Sequence, residues 1–116
     1  MITLGVDALC SVAHGDAKKS GWWNNTINKN VPTKLCLVHS EVSEAMEGYR
    51  KNLMDDKLPD RKAVEVELAD AVIRIADLAQ YLELGLGGAI VAKLEYNRKR
   101  EDHKPGNRAG VNGKKF

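Results

Sequence analysis

The strongest helical pattern in this chain is VEVELADAVIRIADLAQYLEL, at residues 64–84. Apolar residues recur in it at steps of three and four, the period that places side chains on one face of an α-helix. The spacing predicts a helix over residues 61–84 with a wide apolar face, formed by Val64, Leu68, Ala71, Val72, Ile75, Leu78, Ala79 and Leu82. Asp60 is predicted to cap the start of this helix, and Gly85 is predicted to end it.

Weaker helical patterns flank this segment. They predict helices over residues 3–19, 32–54 and 88–100. The helix over 32–54 carries an apolar stripe of Leu35, Val38, Val42, Ala45, Met46 and Tyr49. Because the connections are short, we expect an all-α fold, a four-helix bundle in which helices 32–54 and 61–84 are antiparallel neighbours. We divide the chain into a helical domain at residues 1–103 and an irregular basic tail at residues 104–116.

Composition limits the class of protein. A chain of 116 residues with 43% hydrophobic and 29% charged residues is typical of one globular domain, and 5% aromatic content favours helices over a β-sandwich. Residues 98–116 hold seven Lys or Arg and two acids, so an acidic body precedes a C-terminal segment, residues 98–116, of net charge +5. The longest apolar run, residues 84–92, is too short for a membrane span, and no signal peptide is recognisable. We therefore expect a cytoplasmic protein without a membrane partner.

Two acidic pairs are the main functional signal. Glu41 with Glu44, and Glu67 with Asp70, are each three residues apart, so both members of a pair project from one helix face. Four carboxylates facing one groove need a compensating cation, and oxygen ligands favour Mg²⁺ or Mn²⁺. Zinc is disfavoured because no His or Cys joins the pairs, and Asp70 stands where a di-iron site would place a His. The alternative is that these are solvated surface acids.

A second polar set lies on the helix predicted at 88–100. Lys93, Asn97 and Arg100 share one helix face, where Lys and Arg can bind a phosphate and Asn can contact a sugar or a base. A solvated basic end, favoured by the helix dipole, explains the same spacing equally well.

The adjacent tryptophans Trp22 and Trp23 cannot both face one core. One is expected to pack, and the other can stack on a base or form an oligomer contact. His39, two residues before the first acid, is interpreted as a hydrogen-bonded structural histidine rather than a metal ligand.

Taken together, these motifs resemble one family. HSEVSEA at residues 39–45 and ELAD at residues 67–70 resemble the Glu-x-x-Glu…Glu-x-x-Asp signature of the MazG-like all-α nucleoside triphosphate pyrophosphohydrolases. The GWW segment at 21–23, the KLCLVHSE run at 34–41 and the Lys-x-x-x-Asn-x-x-Arg spacing at 93–100 are similar to the same family. The resemblance covers nearly the whole chain, and its single motif set is similar to the small single-domain members.

The resemblance implies a helical homodimer, or a tetramer built from dimers, that hydrolyses a (d)NTP to the monophosphate and pyrophosphate with Mg²⁺ or Mn²⁺. By the same resemblance, the metal ligands and catalytic carboxylates would be Glu41, Glu44, Glu67 and Asp70. Lys93, Asn97 and Arg100 would contact the nucleotide and its phosphates, and Trp22 or Trp23 would border the base. Arg74, Asp77 and His39 are candidates for a supporting role around the metal. The tail is expected to close over the phosphates, including those of a neighbouring subunit.

Two other functions are open from the residues alone. A non-catalytic helical oligomer that binds nucleotide, or an interaction module, would bind without turnover. The second alternative is a nucleic-acid-binding protein that uses the basic tail, and it is the less favoured one because the body is acidic and no helix has the features of a recognition helix. The sequence leaves open the base and sugar preference and the number of metal ions.

Overall fold

The computed structural model of the chain describes residues 1–25, 29–100 and 104–116. Within these ranges it contains five helices, which are α1 (Ile2–Lys19), α2 (Val31–Arg50), α3 (Ala63–Tyr81), α4 (Leu86–Lys99) and the single turn α5 (Pro105–Arg108). Apart from one isolated bridge between Met54 and Lys62, no β-structure occurs in the described residues. The predicted all-α fold is confirmed.

Three of the helices end in the same hydrogen-bonded motif. The residue after each cap adopts a left-handed conformation, with φ of 83° at Gly21 after α1, 50° at Asn52 after α2 and 56° at Glu83 after α3. In each case the next amide donates back to a carbonyl five residues earlier, as from Leu84 N to Ala79 O at 2.9 Å. This Schellman arrangement satisfies carbonyls that the last turn leaves without partners.

These ends make two helices shorter than predicted. α2 stops at Arg50 rather than residue 54, and α3 stops at Tyr81 rather than residue 84. The predicted role of Gly85 is wrong, because Glu83 takes the left-handed position and Gly85 instead precedes α4. The predicted cap at Asp60 is also wrong, since α3 begins after Lys62.

α3 is the central helix, with α2 packed on one side and α1 on the other, while α4 packs on α1. α2 and α3 are antiparallel, as predicted, because Gly48 lies against Ala63 whereas Glu41, further back along α2, lies against Arg74, further along α3. The principal contacts thus form an open series of helix pairs, α2–α3–α1–α4.

Small residues allow the helices to approach closely. A Cβ at Gly48 would lie 2.9 Å from the Cβ of Ala63, and one at Gly87 would lie 2.7 Å from the Thr3 carbonyl and from Asp7 Oδ1. The buried core between α1 and α3 is likewise built of small side chains, Cys10, Ala13, Ala76 and Ala79, with Val6 and Leu86 packed against it. The α2–α3 and α1–α4 interfaces therefore both depend on a residue without a side chain.

Large apolar side chains lie mostly on the outside of this monomer. Members of the two predicted apolar faces are exposed. They are Leu35, Val42, Met46 and Tyr49 on α2, Leu68, Val72 and Ile75 on α3, and Leu82 directly after α3. The radius of gyration is 17.3 Å, against about 13 Å for a compact domain of roughly 100 residues. The chain by itself leaves much of its apolar surface uncovered.

The C-terminal segment folds on itself. The Arg108 guanidinium donates to the carbonyls of Lys114 and Lys115, at 3.0 and 3.1 Å, and Lys115 Nζ donates back to Arg108 O at 3.1 Å. The predicted irregular tail therefore contains one helical turn and a local hydrogen-bonded loop. The predicted domain boundary after residue 103 falls at residues 101–103, which lie outside the described residues.

Among the described helices, none alone has the length and apolar composition of a membrane span. α3 and α4 meet those limits only as a pair, bent by 114°.

Candidate metal centre

The site begins with the face of α2 that turns inward. The buried positions of this helix are Lys34, Glu41, Ala45 and Gly48, spaced seven, four and three residues apart. Helical spacing of this kind marks one face, and here that face carries two charged residues and two small ones. The bulky residues of the predicted stripe lie mainly on other faces of α2. Near Gly48, at the C-terminal end of α2, close packing against α3 admits only small residues.

Three of the four predicted carboxylates meet between α2 and α3. Oxygen atoms of Glu41, Glu67 and Asp70 all lie within 4.8 Å of one another. Glu41 is the most buried of the three, with 8% of its surface exposed. Glu44 is exposed and lies at the edge of this carboxylate cluster, close enough to affect the pKa values of Glu41, Glu67 and Asp70.

The carboxylates strongly affect one another's ionisation. A shared proton with Glu41, together with burial and the Glu44 carboxyl, raises the pKa of Glu67 to about 8. Burial, followed by the charge of Glu41, raises the pKa of Asp70. Burial also acts to raise the pKa of Glu41, but hydrogen bonds from protonated Glu67 and from Arg74 outweigh it, so that this pKa is lowered. The cluster therefore holds a proton that a cation could replace.

The chemistry of the cluster fits a hard divalent cation. Oε2 of Glu67 is buried and has no hydrogen-bond partner among the described residues, an arrangement that costs free energy unless something else binds the atom. The donors are carboxylate oxygens, which suit Mg²⁺ or Mn²⁺ better than zinc. Arg74 supplies the protein's own counter-charge, since its Nε donates to Glu41 Oε1 at 2.9 Å. This guanidinium balances one of the three carboxyl groups, and the proton held by Glu67 neutralises a second.

A cavity of about 410 Å³ adjoins the cluster. Its volume falls within the range of small-molecule sites. α1 contributes a largely apolar wall that includes Leu9, Val12 and Ala13, and Ile73 of α3 adds to it. The charged and aromatic lining on the other sides includes Trp22, Lys34, Glu41, Asp70, Arg74 and Asp77. The carboxylate cluster thus opens, through Glu41 and Asp70, into a space with apolar, aromatic and charged walls, and α1 adds one further acid, Asp16, to the lining.

The two tryptophans have different environments. Trp23 is buried, donates from Nε1 to Asp77 Oδ1 at 2.9 Å and stacks on Tyr81 with ring centroids 4.0 Å apart. His14 Nδ1 lies 2.8 Å from the same Asp77 oxygen. Trp22 is 51% exposed and lines the cavity. Trp22 is therefore the tryptophan that faces the cavity, whereas Trp23 and Asp77 form part of the framework between α1 and α3.

The polar residues of α4 lie apart from the cavity within one chain. Lys93 Nζ and the Arg100 guanidinium lie 4.8 and 5.8 Å from the ring centre of Tyr96, on the same helix. Oδ1 of Asn97 is buried and has no hydrogen-bond partner among the described residues. None of the three lines the cavity. His39 is exposed on α2 and is not one of the grouped metal-ligand candidates.

Sequence reasoning missed two polar residues of this region, His14 and Lys34. The available signal was spacing, because Lys34 precedes Glu41 by seven residues and so shares its helix face. The missing information was which face of α2 is buried.

No family model matches this chain, and neither a curated protein nor a solved structure matches it. A proposal of function therefore rests on the motif resemblance and on the chemistry of the site.

Proposed function

We propose that this chain is a metal-dependent nucleoside triphosphate pyrophosphohydrolase, which converts a (d)NTP and water to a (d)NMP and pyrophosphate in the upkeep of the nucleotide pool. The observation that carries the proposal is the carboxylate cluster of Glu41, Glu67 and Asp70 opening into a nucleotide-sized cavity. The motif resemblance points to the same reaction.

Each residue has a stated role in this proposal. Glu41, Glu67 and Asp70 would hold Mg²⁺ or Mn²⁺, with Glu44 at the edge of the cluster. A cation held there would supply charge neutralisation for the triphosphate and a lowered pKa for water. Arg74 holds Glu41 in place through its 2.9 Å hydrogen bond. Trp22 supplies a flat apolar surface on which the base stacks. This surface accepts any base, because every base has a π-face.

The hydrolytic step uses one water molecule. Its oxygen forms a bond to the α-phosphorus, the bond from that phosphorus to the bridging oxygen of pyrophosphate breaks, and a carboxylate takes the proton of the water. Glu44 is our candidate for this general base, because it is exposed at the edge of the cluster and its carboxylate is not in the tight group of three.

The proposal includes a homodimer or a tetramer. Exposed apolar side chains on α2 and α3, together with a core made mostly of alanine, support a second copy of the chain packing on these helices. Within one chain, the cavity lining does not include Lys93, Asn97 or Arg100. Their proposed contact with the nucleotide is therefore a contact with the nucleotide of a neighbouring subunit in that assembly.

A product assay tests the reaction. Purified protein with Mg²⁺ is incubated with each dNTP and NTP, and pyrophosphate is separated from orthophosphate. We expect pyrophosphate and a monophosphate, and we expect Glu41→Gln to abolish turnover while Glu65→Gln, an exposed position of α3, retains it. Orthophosphate with a diphosphate would show a different scissile bond. Nucleotide binding without turnover would favour the non-catalytic binding module.

A further inference from the structure

Lys34 is a buried cation on the wall of the cavity. Only 7% of its surface is exposed, and it lines the same space as Glu41, Asp70 and Arg74. Its position on α2 is two helical turns before Glu41, which corresponds to about 10 Å along the axis. A lysine is rarely this buried unless its charge is compensated.

The surroundings of Lys34 compensate that charge only in part. Nζ donates to the Trp22 carbonyl at 3.2 Å and lies 4.3 Å from the centre of the Trp23 ring. Tyr81 stacks on the same indole, with ring centroids 4.0 Å apart. Within the described part of the chain, no carboxylate oxygen lies within ion-pair distance of Nζ.

The other cation of the cavity is already engaged. Arg74 donates to Glu41, so its charge is already paired with a carboxylate of the cluster. Lys34 is held in place by a carbonyl and an aromatic ring, neither of which carries a formal charge, and burial lowers its pKa while Asp77 acts to raise it. An anion entering the cavity would therefore gain a fixed, partly desolvated ammonium as its partner.

We infer that Lys34 is a phosphate-binding residue of this cavity, which contacts the polyphosphate of the substrate. This inference rests on the proposed function. Lysine binds phosphate as a point charge with rotatable donors, and the fixed carbonyl and indole contacts leave donor capacity on Nζ. The polyphosphate then lies between two charges of opposite kind, the cation-binding carboxylates and the Lys34 ammonium.

Binding of inorganic tripolyphosphate in the presence of Mg²⁺ tests this role without catalysis. Isothermal titration calorimetry gives Kd for the wild type, Lys34→Met, Lys34→Arg and the exposed-site control Lys57→Met. We expect Lys34→Met to weaken tripolyphosphate binding about 10- to 100-fold, as for loss of a charge-assisted hydrogen bond. Lys34→Arg should restore part of the affinity, Lys57→Met should match the wild type, and binding of Mg²⁺ alone should be unchanged in all.

Intrinsic fluorescence supplies a second readout on the unaltered chain. The two tryptophans of the sequence are both next to Lys34 Nζ, so tripolyphosphate binding should change the emission of the wild type. This measurement holds even if Lys34→Met does not fold, which circular dichroism would reveal.

The outcomes separate the two proposals. If the wild type binds tripolyphosphate and folded Lys34→Met binds it with the same Kd, the role of Lys34 is overturned. Binding to the wild type without a change in tryptophan emission overturns it as well. Either result leaves the proposed function standing. Weakened binding of a nucleoside with unchanged binding of tripolyphosphate also overturns it, since Lys34 would then contact the base. Failure of the wild type to bind tripolyphosphate or any (d)NTP with Mg²⁺ overturns both.

Discussion

Arg74 donates from Nε to Glu41 Oε1 at 2.9 Å, and this hydrogen bond joins α3 to α2 at the carboxylate cluster. Glu41 is nearly buried, while Arg74 is about one-third exposed. The burial of this pair is therefore intermediate. A surface ion pair contributes little to stability, whereas disruption of a buried one leaves an uncompensated charge.

Removal of this guanidinium should destabilise the metal-free protein. We expect Arg74→Met to lower the free energy of unfolding by about 1–3 kcal/mol, because a buried carboxylate loses a charged hydrogen-bond donor. Mg²⁺ should restore part of the loss, since a cation in the cluster compensates the same charge. Urea unfolding monitored by circular dichroism, with EDTA or with Mg²⁺, measures both effects.

Arg61→Met is the matched control for this experiment. Arg61 pairs with Glu65 at 3.1 Å on the exposed side of α3, so its removal should cost less than about 0.5 kcal/mol. Equal losses for the two variants would contradict the special role of the Arg74–Glu41 pair.

The raised pKa of Glu67 predicts how stability depends on pH. The carboxyl loses its proton near pH 4.5 in the unfolded chain but near pH 8 in the folded one. Between these values the folded state holds the extra proton, so the contribution of Glu67 to the free energy of unfolding falls as pH rises. Under the proposed function, Mg²⁺ would take the place of that proton, so the Mg²⁺-induced rise in Tm should grow from pH 5 to pH 8.

Thermal unfolding of Glu67→Gln between pH 5 and pH 9 checks this assignment. The variant should show a flatter pH dependence without metal and should lose most of the Mg²⁺-induced rise in Tm. Glu65→Gln, two residues away and exposed, should keep the wild-type behaviour. An unchanged Mg²⁺ response in Glu67→Gln would remove this residue from the metal centre.

Adjacent tryptophans should respond differently to the same change. Trp23→Phe removes the donor to buried Asp77 Oδ1 and should cost about 1–3 kcal/mol of stability. Trp22→Phe should change stability by less than about 0.5 kcal/mol, because this side chain is half exposed. Chemical denaturation measures both, and a larger loss for Trp22→Phe would reverse the roles assigned here.

Trp22→Ala should instead affect binding. Loss of a stacking surface is worth about 1–3 kcal/mol per base, so the Kd of a (d)NTP with Mg²⁺ should rise about 5- to 150-fold. The Kd of tripolyphosphate, which has no base, should change little. Equal weakening of both ligands would indicate that Trp22 affects the phosphate end of the cavity.

Neighbouring glycines of α4 provide a packing test. Gly87→Ala places a Cβ 2.7 Å from the Thr3 carbonyl, which the backbone of α1 cannot easily avoid, and overpacking of this kind costs about 1–3 kcal/mol. At Gly88 nothing lies within 4 Å, so Gly88→Ala should stabilise the helix by up to about 1 kcal/mol. Opposite shifts in Tm are expected, and equal shifts would contradict the α1–α4 contact.

The apolar surface of α2 should govern assembly. In light-scattering measurements on a sizing column, we expect the wild type at two or four times the 12.8 kDa chain mass. Met46→Glu should shift the protein toward the monomer, because it places a charge on an exposed apolar face. Val111→Glu changes an even more exposed apolar residue, which lies outside the described helices, and should not. A monomeric wild type would contradict the proposed oligomer.

The sequence by itself determined the helices and the pairing of the acids. Periodicity located α3 because one helix face needs apolar residues at steps of three and four, and a short connection required α2 to run antiparallel to it. Three-residue spacing placed Glu67 and Asp70 on one face of α3, and the antiparallel pairing made a meeting with Glu41 of α2 possible. These features follow from local geometry, which a sequence pattern records directly.

Tertiary structure decided which face of α2 is buried and what each tryptophan does. Periodicity places Lys34 and Glu41 on one face but cannot say that this face, rather than the apolar one, turns toward α3. That choice depends on long-range contacts, including the close approach at Gly48 and the hydrogen bond from Arg74. Trp23 packs inward because Asp77, 54 residues away, accepts its indole N–H, and the cavity with Lys34 on its wall exists only once those contacts form.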